Sequence, residues 1–220
     1  AGIILFDEPL VNLDYKLREE LRSELKALFK TRETIAIYAT TEAHEALALG
    51  GTTTLLHQGR VLQTGGAQQQ FAKPINLFAA DLYNEPPLNV FSAYVNNGVL
   101  QIQNPIHLAS TVHLADLPNG QYQFAIRPNH MALHTISATN IALKTKVALA
   151  EISASETYLH VKTSVDSEQI SLSWIVHILS IMSFRTGSDL DIFLPLEDLF
   201  VFDIEGNAIR WPATHSVTVL

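Results

Sequence analysis

Two consecutive prolines, Pro86 and Pro87, interrupt this 220-residue chain where its side-chain pattern changes. Neither has an N–H to give to a helix or a sheet ladder, and each pushes the residue before it toward extended geometry. Before them, apolar strand-like runs alternate with residues at helical spacing. After them come short β-rich runs between turn signals. Two domains are therefore expected, an α/β domain at residues 1–84 and an all-β domain at 85–220. A hydrophobic content of 47% suffices for two cores and excludes a disordered or low-complexity chain. The absence of cysteine excludes a disulfide scaffold, a thiolate zinc site and a cysteine nucleophile, and fits a reducing compartment. The run from Trp174 to Met182 is broken by His177 and Ser180 and is too short to span a bilayer. Ala1 opens inside an apolar run with no Met and no basic leader, which suggests a piece of something longer.

Gly2 to Phe6 is uniformly apolar, the pattern of a strand buried on both faces of a parallel sheet. A turn follows at Asp7-Glu8-Pro9. Leu17, Leu21, Leu25 and Leu28 then recur at helical spacing opposite Arg18, Glu20, Arg22 and Lys26, with Asp14 placed to cap that helix. A second strand at Thr34 to Tyr38 ends at Thr40-Thr41, and a helix is expected from Glu42 to about Leu49. Strand, helix, strand, helix predicts parallel strands with crossover helices, which gather active groups beyond the carboxyl ends of the strands. Those ends carry Asp7, Glu8, Thr40 and Thr41. A hairpin is expected at Thr52–His57 and Arg60–Gln63 around Gln58-Gly59, then short helices at Ala67–Phe71 and Ile75–Leu82. In the second domain, strands are expected at Val90–Val95, Val99–Gln103, Thr111–Leu114, Gln121–Ile126, Thr145–Glu151, Thr157–Lys162, Gln169–Trp174, Leu190–Phe193 and Phe200–Asp203. Short strands at this spacing predict a small barrel or sandwich.

Four apolar residues followed by two carboxylates at a strand end form a chemically useful device. The first acid can hold a hydrated Mg²⁺ as an outer ligand, and the second can orient a water for attack on a phosphate. By itself the pair is also what a solvated turn carries. The surrounding run, Ile3-Ile4-Leu5-Phe6-Asp7-Glu8-Pro9-Leu10-Val11-Asn12-Leu13-Asp14, resembles the Walker B and D-loop segment of ABC transporter ATPases. Leu17-Arg18-Glu19-Glu20-Leu21 resembles the next helix of the sugar and glycerol-phosphate importer type, the maltose-transporter ATPase type. Tyr38-Ala39-Thr40-Thr41-Glu42-Ala43-His44-Glu45-Ala46-Leu47 is similar to that family's switch segment, and Gln58 to Gly65 to its following hairpin. Phe78-Ala79-Ala80-Asp81 and Glu85-Pro86-Pro87-Leu88-Asn89 resemble the exit into the regulatory domain, where Arg127-Pro128-Asn129-His130 is similar to an Arg-Pro-Glu-His turn. In-order motifs of this kind are far more specific than one.

The resemblance implies a partial P-loop NTPase core followed by an OB-like regulatory (TOBE) domain, the C-terminal part of an importer's ATP-hydrolysing subunit. It implies Asp7 as the Mg²⁺-associated carboxylate, Glu8 as catalytic base, and Asn12, Leu13 and Asp14 as the D-loop crossing to a second subunit. Implied with these are ATP and Mg²⁺ as cofactors of the full dimer, a homodimer or heterodimer of ATPase subunits, and transmembrane permease partners. A regulatory protein at the β domain and a cytoplasmic, membrane-peripheral location are implied too, with a sugar or related solute as cargo.

Two departures qualify the resemblance. No Gly-x-x-x-x-Gly-Lys-Ser/Thr occurs, so the chain alone is expected neither to hold nor to hydrolyse ATP. Thr41 stands where the family has its switch histidine and offers a short neutral hydroxyl instead of a ring. His44, three residues on, is a weak substitute. The alternative is therefore a catalytically degenerate regulatory or binding module that docks a protein or senses a small molecule. Thr64-Gly65-Gly66-Ala67-Gln68 looks like the family's signature motif but follows Walker B, and is expected to be a turn. His130 and His134 lack a third ligand for zinc. Trp174 and Trp211 are expected in the core. Residues 85–220 carry six basic and twelve acidic side chains, against the basic groove that nucleic acid needs.

Overall fold

The computed structural model describes residues 2–31, 35–102, 107–110, 113–135, 139–163 and 172–213. The protein is mostly β with few helices, and it divides into two compact units, Ala1–Phe71 and Ala72–Leu220. Among the described residues, no helix is long and apolar enough to cross a membrane.

In the first unit, strand β1 (Ile3–Asp7) pairs in parallel with β2 (Ile35–Ala39), and helix α1 (Tyr15–Thr31) connects them. The register sets Phe6 opposite Tyr38 and Asp7 opposite Ala39. Helix α2 (Ala43–Leu49) follows, then the antiparallel hairpin β3 (Thr52–His57) and β4 (Arg60–Gly66). Phe6 meets Phe29 of α1 edge-on at 5.8 Å, so α1 covers the face of the sheet that carries Phe6. The other face is not buried as expected. Ile3 and Leu5 are 66% and 72% exposed, and Ile35 and Ile37 of β2 share that exposure. A two-stranded sheet packed by helices on one side leaves its alternate residues in water, whatever their hydropathy. Leu17, expected on the buried stripe, is also exposed, whereas Leu21, Leu25 and Leu28 are half-buried. The Thr64–Gln68 run is not a turn: β4 continues through Gly66 and α3 (Ala67–Ala72) begins at once.

The second unit holds two antiparallel sheets. The larger is ordered β14-β13-β8-β5-β6-β7 and the smaller β11-β10-β9-β12. Their strands are β5 (Asn89–Asn96), β6 (Val99–Ile102), β7 (His107–Ser110), β8 (Gly120–Ile126), β9 (Asn140–Ser153), β10 (Glu156–Thr163), β11 (Ser173–Ile178), β12 (Asp189–Pro195), β13 (Phe200–Phe202) and β14 (Ala208–Arg210). Alternating residues of β5 (Phe91, Ala93, Val95), β9 (Ile141, Leu143), β10 (Leu159, Val161) and β11 (Trp174, Val176) share one core. Phe91 stands 5.5 Å from Phe124 and 5.3 Å from Trp174, ring centre to ring centre. Trp174 and the half-buried Trp211 both pack on core clusters. Asn97 and Gly98 both take positive φ, the turn that joins β5 to β6, and a Cβ on Gly98 would stand 2.9 Å from Ala115 Cα.

Three strand assignments differ from expectation. Leu114 lies in a turn, with the strand earlier at β7, and residues 111–112 fall outside the described residues. Strand β11 runs past Trp174 to Ile178, while 169–171 fall outside. Strand β9 is longer than expected because its first half pairs with β12 and its second half with β10.

The compact units divide at Phe71/Ala72, ahead of the expected 84/85, because residues 72–84 belong to the β core. Ala80 of α4 (Leu77–Leu82) packs with Leu88, Ala125, Phe200 and Phe202. Trp211 Nε1 donates to Pro74 O at 2.9 Å, and Leu77 N donates to Gly206 O at 2.8 Å. Arg127 is buried with its guanidinium 4.8 Å over the Phe200 ring, and its Nε donates to Asn84 Oδ1 at 3.2 Å. Burial pushes that guanidinium down to about 10, with the Asp198 charge opposing.

Two predictions follow from this core. Buried Asn89 clamps the two sheets: Nδ2 donates to Ile175 O at 2.8 Å while Oδ1 accepts from Ile175 N at 2.7 Å. Asn89→Ala strips both partners and is expected to cost about 2–3 kcal/mol, read from the urea midpoint of the β transition. His113 is buried with Nε2 2.9 Å from Leu199 O, and burial holds its imidazole below the ordinary 6.5. Because the unfolded chain then binds the extra proton, stability is full above 6.5 and falls as pH drops toward the lowered folded value. His113→Gln is expected to flatten that stretch of the stability–pH curve, and an unchanged slope would show that His113 is not its source.

Candidate functional site

The parallel register brings the carboxyl ends of β1 and β2 level, and the site lies just beyond them. Glu8 takes a left-handed φ of 47°, uncommon for a side chain with a Cβ, which turns the chain sharply out of β1. Its backbone N–H donates to Ala39 O at 2.9 Å, which extends the β1–β2 pairing by one residue. Its carboxylate Oε1 accepts from the Thr41 backbone N–H at 3.1 Å. Glu8 and Thr41, thirty-three positions apart in the chain, therefore meet directly. The contact uses the main chain of Thr41, so its side chain is not the group that touches Glu8. Asp7 is exposed at the end of β1, opposite Ala39.

Asn12, Leu13 and Asp14 lie on the far side of the turn that Glu8 starts. Val11 N donates to Glu8 O at 3.2 Å, and Asn12 has φ 64°. Asp14 caps α1: its Oδ1 accepts from Leu17 N at 3.0 Å, and its backbone carbonyl accepts from Arg18 N at 3.0 Å. Leu13 O accepts from Arg18 Nη2 at 3.4 Å. Leu13 and Asp14 are thus held by the start of the helix, and the structure does not bring the three residues onto the Glu8–Thr41 pair. His44 is exposed on α2.

Two residues of this region were not singled out by sequence reasoning. Tyr38 Oη donates to Glu45 Oε2 at 2.9 Å, and Glu45 is only 3% exposed. The available signal was the one acid on a short helix of alanines and leucines with a single histidine, where a buried carboxylate needs a partner. Burial, reinforced by the Glu45 hydrogen bond and charge, pushes the Tyr38 phenol well above its usual range, so it stays a neutral donor. The Arg22 charge opposes this shift. Among the described residues, no group of three His, Cys, Asp or Glu side chains is arranged to hold a metal ion.

No family model matches the chain. Curated relatives do. The chain is 31% identical over 215 residues to an sn-glycerol-3-phosphate import ATP-binding protein UgpC of Cupriavidus metallidurans, covering 94% of this chain and 56% of that protein. It is 29% identical over 207 residues to UgpC of Vibrio vulnificus, covering 94% and 54%. It is 32% identical over 133 residues to an Fe(3+) ions import ATP-binding protein FbpC of Vibrio cholerae, covering 60% and 37%. The chain spans about half the length of the UgpC relatives it matches.

Asp14 permits a test of its structural duty apart from any other. Asp14→Ala is expected to lower the stability of the first unit by about 1 kcal/mol, while Asp14→Asn stays near neutral, in thermal unfolding followed by helical circular dichroism. Equal losses for both would show that the charge, not the cap, is what matters.

Proposed function

We propose, from the premise that this chain is homologous over most of its length to ATP-binding subunits of ABC importers, that it is the C-terminal part of such a subunit. On this reading the first unit is part of an α/β P-loop NTPase core and the second an OB-like regulatory domain. The observation that carries the reading is the Thr41 N–H seated on the Glu8 carboxylate at the ends of two parallel strands. The uncovered apolar face of Ile3, Leu5, Ile35 and Ile37 supports it too, since a larger sheet would bury such a face.

The residues present fit part of the cofactor set. Asp7 is exposed, so a hydrated divalent cation reaches its carboxylate without desolvating it. Mg²⁺ supplies charge neutralisation on the phosphates when bound. Glu8 holds one oxygen against the Thr41 N–H and has Oε2 left to orient a water. Asn12, Leu13 and Asp14 form the segment that faces a second ATPase subunit, identical or not. ATP itself needs a phosphate cradle that this chain lacks. Permease subunits and a cytoplasmic, membrane-peripheral location belong to the same proposal, with the β unit open to a regulatory protein. The relatives' names differ, glycerol-3-phosphate against ferric ion, and the proposed cargo is a sugar or related solute.

A second reading, a catalytically degenerate regulatory module, is favoured by one observation. Thr41 meets Glu8 through its main chain, so its exposed side chain contributes nothing to that contact. One experiment separates the two: phosphate release by the longer protein of which this chain is the proposed C-terminal part. Glu8→Gln is expected to abolish turnover, and Thr41→His to raise it by up to about 10²–10³, the weight of one well-placed polar stabiliser. Turnover that survives Glu8→Gln would sink the ATPase reading. A wild type without turnover that Thr41→His restores would favour the degenerate module.

A further inference from the structure

We infer that Tyr38 and Glu45 are positioning residues for this site: their hydrogen bond holds the Thr40–Glu42 loop so that the Thr41 N–H stays on the Glu8 carboxylate. The importance of that contact to chemistry rests on the role proposed for Glu8; the coupling itself does not.

Ring packing fixes one end of the loop and a hydrogen bond the other. Tyr38 is the penultimate residue of β2, and its ring packs 5.9 Å from Phe6, its register partner on β1. Phe6 is in turn held against Phe29 of α1. The Tyr38 ring is therefore seated on the sheet one residue before the strand ends. Its hydroxyl reaches forward seven positions to Glu45, in the first turn of α2. That helix has no side-chain cap at Glu42, so the Tyr38–Glu45 bond ties its first turn to the sheet instead.

Between these anchors lie only Ala39 to His44. Within them Glu42 N donates to Thr40 Oγ1 at 3.0 Å, and Glu45 N donates to Glu42 O at 3.0 Å. A loop this short, closed at both ends, has few conformations, and Thr41 N–H points at Glu8 in the one observed. Opening the Tyr38–Glu45 bond would leave a buried carboxylate without its phenol donor. Helix α2 would then shift to hydrate Glu45 and carry the loop with it. Tyr38→Phe removes only the hydroxyl and keeps the ring on Phe6. Glu45→Gln keeps an acceptor for the phenol, whereas Glu45→Leu keeps bulk and loses it.

The test uses the 220-residue chain, ¹⁵N-labelled, with no nucleotide. In wild type, at one fixed neutral pH, the Thr41 amide proton is expected to be shifted downfield and protected from hydrogen exchange by its bond to the Glu8 carboxylate. Glu8→Ala must erase both signals, which certifies the reporter. Tyr38→Phe and Glu45→Leu are expected to cut that downfield shift and protection by roughly half or more, since a hydrogen bond weakens steeply once bent or lengthened. Glu45→Gln is expected to restore most of it, a rescue that a merely space-filling role would not produce. Full shift and protection in Tyr38→Phe overturn the inference. If Tyr38→Phe does not fold, Glu45→Gln against Glu45→Leu decides: equal protection in the two overturns it. Because this signal needs no turnover, it fails independently of the ATPase reading, which is judged by Glu8→Gln in the longer protein.

Discussion

Parallel pairing of Ile3–Asp7 with Ile35–Ala39 is the constraint on which the candidate site depends. Because the strands run the same way and end in register, the residues that follow each strand emerge side by side. An antiparallel pair would have sent Glu8 and Thr41 to opposite ends of the sheet. The connection through α1 makes the parallel arrangement possible, since parallel strands require a crossover of this length. The Asp14 cap starts that helix directly after the turn, so Asn12 to Asp14 are committed to the crossover while Glu8 is left to face β2.

The second unit rests on a different principle. Two antiparallel sheets bury alternate residues of nearly every strand against one another, and the buried Asn89 and Thr145 are paired with backbone groups. Asn89 bonds across the sheets to a backbone segment eighty-six positions away, which no local pattern announces. Arg127 is held by an aromatic face and an amide oxygen. The Arg-Pro-Asn-His run that resembled a family turn thus also serves the fold: Arg127 fastens the segment that enters the β unit, and a short 3-10 turn follows at Pro128–His130.

Much of the site region was legible beforehand because its signals are local. The two parallel strands, the helix capped by Asp14 and the helix after Thr41 lie where periodicity and turn chemistry put them, and the Gln58-Gly59 hairpin is in place with its second strand running three residues further, to Gly66. The apolar run of β1 misled on burial, since hydropathy reports what a strand can bury and not how many layers surround it. The Pro86-Pro87 pair misplaced the edge of the compact unit for a similar reason. Proline marks a break in backbone pairing, but the edge of a core is drawn by side chains such as Ala80 and Trp211 that return to it from a distance.

By itself, then, the sequence determined which segments become strands and helices, which residues stand at strand ends, and the resemblance to importer ATPases. These follow from propensities and motifs that act over a few residues. Only the tertiary structure decided that Thr41 reaches Glu8 by its main chain, that a buried Glu45 answers to Tyr38, and that residues 72–84 pack with the β unit. Each of these is a contact between chain segments brought together by sheet register or core closure. Such contacts are selected by the packing and hydrogen-bond satisfaction of the whole, and even the Tyr38–Glu45 pair, seven positions apart, is set by the seating of Tyr38 on the sheet.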